Sequence, residues 1–186
     1  MALAVGLSAV VAPSLHLVSD VLEWATGGFT RTQLLVTYAA FLPMPFLLLG
    51  LHVLQKERGG WPGLLGALLY GVAFVYFLHT ALVALEESIA DYDALWQRLG
   101  WVYSVHGAMM IGGGALFGVT ALQARVLSPL GLSLFLAGIA MNLACGLTTL
   151  PDIFQTVGSA VRNLGLICVG VGILRGQTRV SGMEPG

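Results

Sequence analysis

Long apolar runs dominate the chain and recur with only short polar connections between them. A transmembrane helix needs about 20 consecutive, mainly apolar residues. Six stretches meet this requirement, at about 4–24, 33–54, 62–85, 101–122, 127–150 and 157–174. Because these runs are continuous and about twice as long as a barrel strand, they favour helices over a closed barrel. We therefore predict an all-α integral membrane protein, a single six-helix domain over residues 1–186.

The composition agrees with this prediction. Hydrophobic residues make up 57% of the chain and charged residues 9%, whereas soluble domains carry about 25% charged residues. Such a chain has too little polar surface to cover a water-facing globule. Lys56 is its one lysine, so no basic patch for nucleic acid is present. The predicted partner is the lipid bilayer, and the predicted location is a cell membrane, the inner membrane in a bacterial source.

Basic residues predict how the helices are oriented, because they concentrate on the cytoplasmic side. An up-and-down bundle with both termini in the cytoplasm places most basic residues inside: Lys56, Arg58, Arg125, Arg175 and Arg179. Most acidic residues then lie toward the outer side: Asp20, Glu23, Glu86, Glu87, Asp91, Asp93 and Asp152. We predict the N-in, C-in orientation.

Two further patterns concern how the helices are arranged. H-L-V-S-D-V-L-E from His16 to Glu23 resembles H-T-A-L-V-A-L-E from His79 to Glu86, as three tandem helical hairpins would predict. The fourth and sixth spans are rich in glycine, including Gly114 and Gly165. Small residues let helix backbones approach closely in lipid. They predict tight packing within the bundle, and a homo-oligomer through the same spans is a second prediction.

Each predicted span carries one hydrogen-bonding side chain at a similar depth in its outer half. These side chains lie about three to five residues outward of the middle of the span, which corresponds to about 5–7 Å. They are Asp20, Tyr38, His79, His106, Asn142 and Arg162. His16 lies deeper, and Glu23 and Glu86 lie nearer the outer surface. Ionisable groups at this depth cost about 2.5–3.5 kcal/mol each and usually face the bundle interior or a wet cavity.

The spacing of these residues predicts that several share a helix face. His16, Asp20 and Glu23 follow an i, i+4, i+7 pattern, which forms one stripe of a helix. His79 and Glu86 form a similar stripe seven residues apart. We therefore predict a polar pocket in the outer half of the bundle, open to the non-cytoplasmic side.

Interruptions of the helical backbone lie at a comparable depth. Pro43 and Pro45 fall in the middle of the second span, where proline removes a backbone hydrogen bond and breaks the helix. Broken helices near the middle of the membrane recur at transporter binding sites. These prolines are therefore compatible with a binding site at the level of the polar residues.

Several functions remain open from these residues. The first is binding or translocation of a small molecule, proton or metal ion by residues lining the pocket: His16, Glu23, Tyr38, Glu86, Asn142 and Arg162. The second is an intramembrane enzyme that acts on a lipophilic substrate, with Asp20, His79 and His106 as acid and base. A metal-assisted version takes His16, Asp20, His79 and His106 as ligands.

Two further hypotheses involve no acid–base chemistry by the chain itself. In a b-type haem protein, His79 and His106 would be the axial ligands. In a non-catalytic subunit of a membrane complex, the polar groups would only satisfy one another, for example through a pairing of Arg162 with Asp20 or Asp152. The sequence specifies neither a substrate nor a cofactor.

Overall fold

The structure of the chain is a computed structural model that describes residues 1–148 and 152–176. These residues form eight helices: α1 (Ala2–Thr26), α2 (Arg31–Phe41), α3 (Met44–Leu54), α4 (Lys56–Glu86), α5 (Tyr92–Leu99), α6 (Trp101–Ala124), α7 (Pro129–Leu147) and α8 (Asp152–Leu174). Arg179 and Glu184 lie outside the described residues, and so does the side chain of Asp152. The predicted pairing of Arg162 with Asp152 therefore also lies outside them.

Six segments of the described chain are long and apolar enough to cross a membrane. They are α1, α2 with α3, α4, α6, α7 and residues Ile153–Leu174 of α8. This result confirms the all-helical, six-span class, which is that of a multi-pass membrane protein. The orientation in the membrane and the tandem hairpins remain predictions.

Local sequence explains where the helices begin and end. Gly27 ends α1 with a left-handed backbone (φ 69°), a conformation that glycine adopts without steric cost. Thr30, Asp91 and Ser128 each accept a hydrogen bond from a backbone N–H in the first turn of the following helix. Side chains of this kind satisfy donors that a helix start leaves unpaired. These caps give the short connections defined directions.

Proline divides the second span, as the sequence predicts. α2 ends at Phe41 and α3 begins at Met44, with Pro43 between them and Pro45 in the first turn of α3. A second break lies in α4 at Gly60 (φ 52°, ψ −159°). Because this backbone is not helical, the turn Lys56–Gly59 points away from the long, straight part of α4.

Glycines set the close contacts between helices. A Cβ atom added at Gly6 would meet Leu174 at 2.9 Å, and one at Gly170 would meet Ala9 at 2.8 Å. α8 therefore packs closely against α1. Gly66 and Gly113 likewise bring α4 and α6 into backbone contact. The predicted packing role of the glycines in the fourth and sixth spans is confirmed.

The apolar core is built around aromatic rings in edge-to-face contact. Tyr70 of α4 meets Phe74 at 5.2 Å and Phe135 of α7 at 5.5 Å, both nearly perpendicular, and Phe117 of α6 completes the group. Edge-to-face pairs of this kind add to the energy of burial. The polar residues described next lie beside this core, where α8 packs against α1.

Candidate functional site

The polar side chains of α1 and α8 meet inside the bundle. We call His16, Asp20, Ser159, Arg162 and Asn163 the α1–α8 polar cluster. Nε2 of His16 lies 3.5 Å from Oδ1 of Asp20, and the two side chains are 12% and 13% exposed. The spacing of four residues places them on one face of α1, and the contact between α1 and α8 brings that face to Arg162.

Arg162 is the fixed charge of the cluster. Its residue is 3% exposed, and it donates from Nη2 to Oγ of Ser159 at 3.2 Å and from Nη1 to Sδ of Met110 at 3.1 Å. Within the described residues it makes no direct ion pair with Asp20. Its charge nevertheless acts on both His16 and Asp20 across the helix contact. Arg162 is thus held by neutral acceptors, of which sulfur is a weak one.

Several buried polar atoms around Arg162 have no partner among the described residues. They include both acceptors and donors: Nε of Arg162, Oδ1 of Asn142 and the hydroxyl of Tyr70. The side chains of Asn163 and Asp20 interact with His16 and Ser159, respectively. Buried polar groups in proteins are almost always hydrogen-bonded to protein or water. This mixture of donors and acceptors matches the needs of ordered water or a small polar ligand.

Glycine in α7 and α8 places two of these groups. A Cβ atom at Gly138 would overlap the backbone of Arg162, and one at Gly158 would overlap Oδ1 of Asn142. The absence of these side chains lets α7 approach α8 closely. The amide of Asn142 consequently lies against α8 at Gly158.

His79 and His106 form a separate group on α4 and α6. The imidazole of His106, buried in the protein, stacks on Tyr76 with 4.4 Å between ring centres and 10° between planes. His79 interacts electrostatically with His106 but is exposed on the surface of α4. We call His79, His106 and Tyr76 the α4–α6 histidine group. His16 contacts Phe41, Phe41 contacts Phe77, and Phe77 contacts His106, so aromatic rings separate this group from the α1–α8 polar cluster.

The remaining predicted residues lie at the end of the bundle that carries α5. Glu23 accepts a hydrogen bond from the hydroxyl of Tyr92 at 3.0 Å. Tyr38 is half-buried and Glu86 is exposed. Next to Glu86, Arg98 of α5 donates two hydrogen bonds to Glu87, at 2.7 and 2.8 Å. These bonds hold the pKa of the Glu87 carboxyl below its usual value.

Sequence reasoning missed several residues of the site. Gln33 of α2 donates to Ser19 at 3.0 Å and to Thr37 at 3.1 Å, and the hydroxyls of Ser19 and Thr37 also share a hydrogen bond. Asn163 and Met110 were missed as well. The i, i+4 spacing of Gln33 and Thr37 and the asparagine beside Arg162 were the available signals. Met110 carried none, since methionine is an ordinary apolar filler.

The geometry also bears on the metal and haem hypotheses. Within residues 1–148 and 152–176, no three His, Cys, Asp or Glu side chains are grouped as ligands of one metal ion. For haem, bis-histidine ligation places a porphyrin between two imidazoles. His79 and His106 lie on α4 and α6, which pack directly against each other.

Comparison of the chain with protein-family models, with curated proteins and with solved structures gives no match in any of the three. The six apolar helical segments define the class, a polytopic membrane protein.

Proposed function

We propose that this multi-pass membrane protein binds and relays protons at the α1–α8 polar cluster. The proposal rests on one observation, the pair of His16 and Asp20 at 3.5 Å beside the buried guanidinium of Arg162. In the predicted N-in, C-in bundle this cluster opens to the non-cytoplasmic side of a cell membrane. A small hydrogen-bonding molecule that carries the proton is a second occupant of the same site.

The chemistry of the three side chains supports proton exchange. Chains of Asp, Glu and His inside membrane spans serve as proton relays in pumps and transporters. The positive charge of Arg162 offsets the charge of ionised Asp20. The cluster therefore changes between a neutral and a charged state when one proton arrives, and the unpartnered donors and acceptors around it match those of a water chain.

Proton flux into reconstituted vesicles tests the proposal. The full chain would be placed in liposomes that contain the pH-sensitive dye pyranine, with valinomycin and a potassium gradient setting the membrane potential. We expect faster acidification than in protein-free vesicles, and Asp20→Asn is expected to return the rate to the protein-free value. Asp93→Asn, at an exposed carboxylate of α5, is the matched control and should retain the flux.

Two results would count against the proposal. The first is a wild-type rate equal to that of protein-free vesicles, together with identical acid titrations of wild type and Asp20→Asn in detergent. The second is an equal loss of flux in Asp20→Asn and Asp93→Asn. Insertion of each variant would be checked by its yield of monodisperse protein.

A second candidate function rests on the α4–α6 histidine group. His79 is exposed on a membrane-spanning helix beside the buried imidazole of His106, where a lipophilic molecule would arrive from the bilayer. This arrangement favours an intramembrane enzyme over a haem protein or a non-catalytic subunit. Incubation with a lipid extract and analysis of the products by mass spectrometry would test it, with loss of any product in both His79→Gln and His106→Gln as the expected result.

A further inference from the structure

A cavity of about 210 Å³ lies at the end of the bundle opposite α5. It is bounded by the connection between α3 and α4 and by Val126, which lies between α6 and α7. Its polar lining comes from Gln55, Lys56, Glu57 and Arg58. Val53, Leu54 and Val126 provide apolar walls. We call this space the Gln55 cavity. A water molecule needs only about 10–15 Å³, so the cavity has room for a phosphate group with several waters.

Gln55 gives this cavity an internal polar group. The residue is 2% exposed, and neither its Nε2 nor its Oε1 has a hydrogen-bond partner among the described residues. A buried amide without partners destabilises the folded protein by about the free energy of one or two hydrogen bonds, unless water or a ligand supplies those bonds. Gln55 is one of the residues that line the cavity, and a rotation of its side chain toward the cavity would let a ligand with both acceptor and donor atoms satisfy the amide.

The charges of the lining favour an anion. Met1 is also among the lining residues. Lys56 and Arg58 contribute two positive charges and Glu57 one negative charge, so the charged side chains sum to one positive charge. The kink at Gly60 separates the turn Lys56–Gly59 from the rest of α4. Side-chain charges, rather than the dipole of a long helix, would therefore attract the anion. Arg and Lys both bind phosphate oxygens, Arg as a two-pronged donor and Lys as a point charge.

The position of the cavity favours a lipid as the source of the phosphate. Val53 and Trp61 are 40% and 80% exposed on either side of the polar lining. Exposed tryptophan at the end of a span marks the headgroup level of the bilayer. Basic pockets at the ends of membrane helices bind anionic lipid headgroups. Val53, which lines the cavity, is also exposed on the surface of α3, where an acyl chain would lie.

We propose that the Gln55 cavity binds the phosphate group of an anionic phospholipid. Lys56 and Arg58 would contact the phosphate oxygens, and Nε2 of Gln55 would donate to one of them from inside the cavity. Glu57 would repel a second anion and so limit the site to one phosphate. This site is independent of the proton site of the α1–α8 polar cluster, which lies in the other half of the bundle.

Lipid retention measured by native mass spectrometry tests this proposal. The purified full chain would be delipidated in detergent and titrated with phosphatidylglycerol or with phosphatidylcholine. We expect one phosphatidylglycerol to bind per chain in preference to phosphatidylcholine. Each basic residue near an anionic lipid surface contributes about fivefold to affinity, so K56Q with R58Q should weaken phosphatidylglycerol binding about 25-fold.

Two control variants separate this site from general surface charge. Arg175→Gln removes a basic residue that follows α8 and does not line the cavity, and it should leave affinity unchanged. Gln55→Leu keeps the charge and the approximate volume but removes the amide, and it should weaken binding by about fivefold. If Gln55→Leu does not fold, the lipid affinities of K56Q/R58Q and Arg175→Gln still test the proposal. Both of these variants replace exposed side chains, so they should fold.

Inorganic phosphate distinguishes the two sources of the same chemistry. If millimolar inorganic phosphate displaces phosphatidylglycerol from the wild type, and K56Q/R58Q loses the binding of both equally, the result would support the phosphate site and assign it to a free anion. Phosphatidylglycerol binding that phosphate does not displace would assign it to the lipid. Equal lipid binding by wild type, K56Q/R58Q and Arg175→Gln would overturn the proposal.

Discussion

The α1–α8 polar cluster and the α4–α6 histidine group both contain histidine, but charged groups surround it in the first and an aromatic ring or the protein surface in the second. His16 lies beside a carboxylate and within the field of Arg162, whereas His106 stacks on an aromatic ring and His79 is exposed at the surface. Both regions lie at membrane depth, where charges interact far more strongly than in water. Depth alone therefore does not assign a role to an intramembrane histidine, because its neighbours decide which charge state is stable.

The helix contacts of the two regions also differ. Between α7 and α8, Gly138 meets the backbone of Arg162, and Gly158 makes room for the amide of Asn142. Between α4 and α6, Gly66 and Gly113 each meet the backbone of the facing helix. Glycine therefore gives close backbone contact in both regions, and at Gly158 it also admits a polar side chain.

The largest expected effect is on stability when Arg162 is replaced by methionine. Asp20 would lose a nearby positive charge and Ser159 its charged donor, and we expect a cost of about 3 kcal/mol, the upper end for hydrogen bonds to charged groups. The measurement is the free energy of unfolding in mixed micelles titrated with dodecyl sulfate. Asp20→Asn introduced into Arg162→Met should recover most of the loss. An additive double variant would show that the two side chains do not interact.

The next effect concerns the α7–α8 contact. Gly158→Ala would place a Cβ atom against Oδ1 of Asn142, and such overpacking costs about 1–3 kcal/mol. Gly112→Ala on α6 is the matched control, because a Cβ there meets nothing within 4 Å and alanine is the better helix former. In the same unfolding titration, Gly158→Ala should have a lower free energy of unfolding than Gly112→Ala. The reverse order would contradict the described contact.

A smaller effect separates the two regions by function. His16→Gln should slow proton flux in the pyranine assay about tenfold, because a positioned proton donor and acceptor contributes at least that factor. His79→Gln removes an exposed histidine of the other region and should leave the flux unchanged. If both variants slow the flux equally, one continuous relay joins the two regions and the comparison fails.

The smallest effect is expected at the surface of α4. His79→Ala removes a side chain that is exposed, and substitutions at such positions usually change stability by about 0.5 kcal/mol or less. The unfolding titration would measure this change next to that of His106→Ala, which should cost more because His106 is buried against Tyr76. If His79→Ala lowers the free energy of unfolding as much as His106→Ala does, His79 would lie in a packed interface.

Local sequence predicted the spans well and missed one helix. Residues 86–100 lie between the third and fourth predicted spans, where the sequence analysis predicted no helix, yet Tyr92–Leu99 forms α5, with Asp91 as its cap and Leu95 buried against Leu34. The cap and the single apolar face were present in the sequence. A helix of 8 residues is marginal by itself, so its packing against the end of the bundle stabilises it.

Apolar run length by itself determined the six segments that can span a membrane, and residue position predicts a depth for each polar group, because both follow from the rise of about 1.5 Å per residue along a helix. Only the tertiary structure decided which of these groups meet. Asp20 and Arg162 lie near each other because α8 packs against α1 through Gly6 and Gly170. His79 and His106 lie elsewhere because α4 packs against α6. Rotation and contact between helices distant in the chain depend on packing across the whole bundle, which no single span encodes.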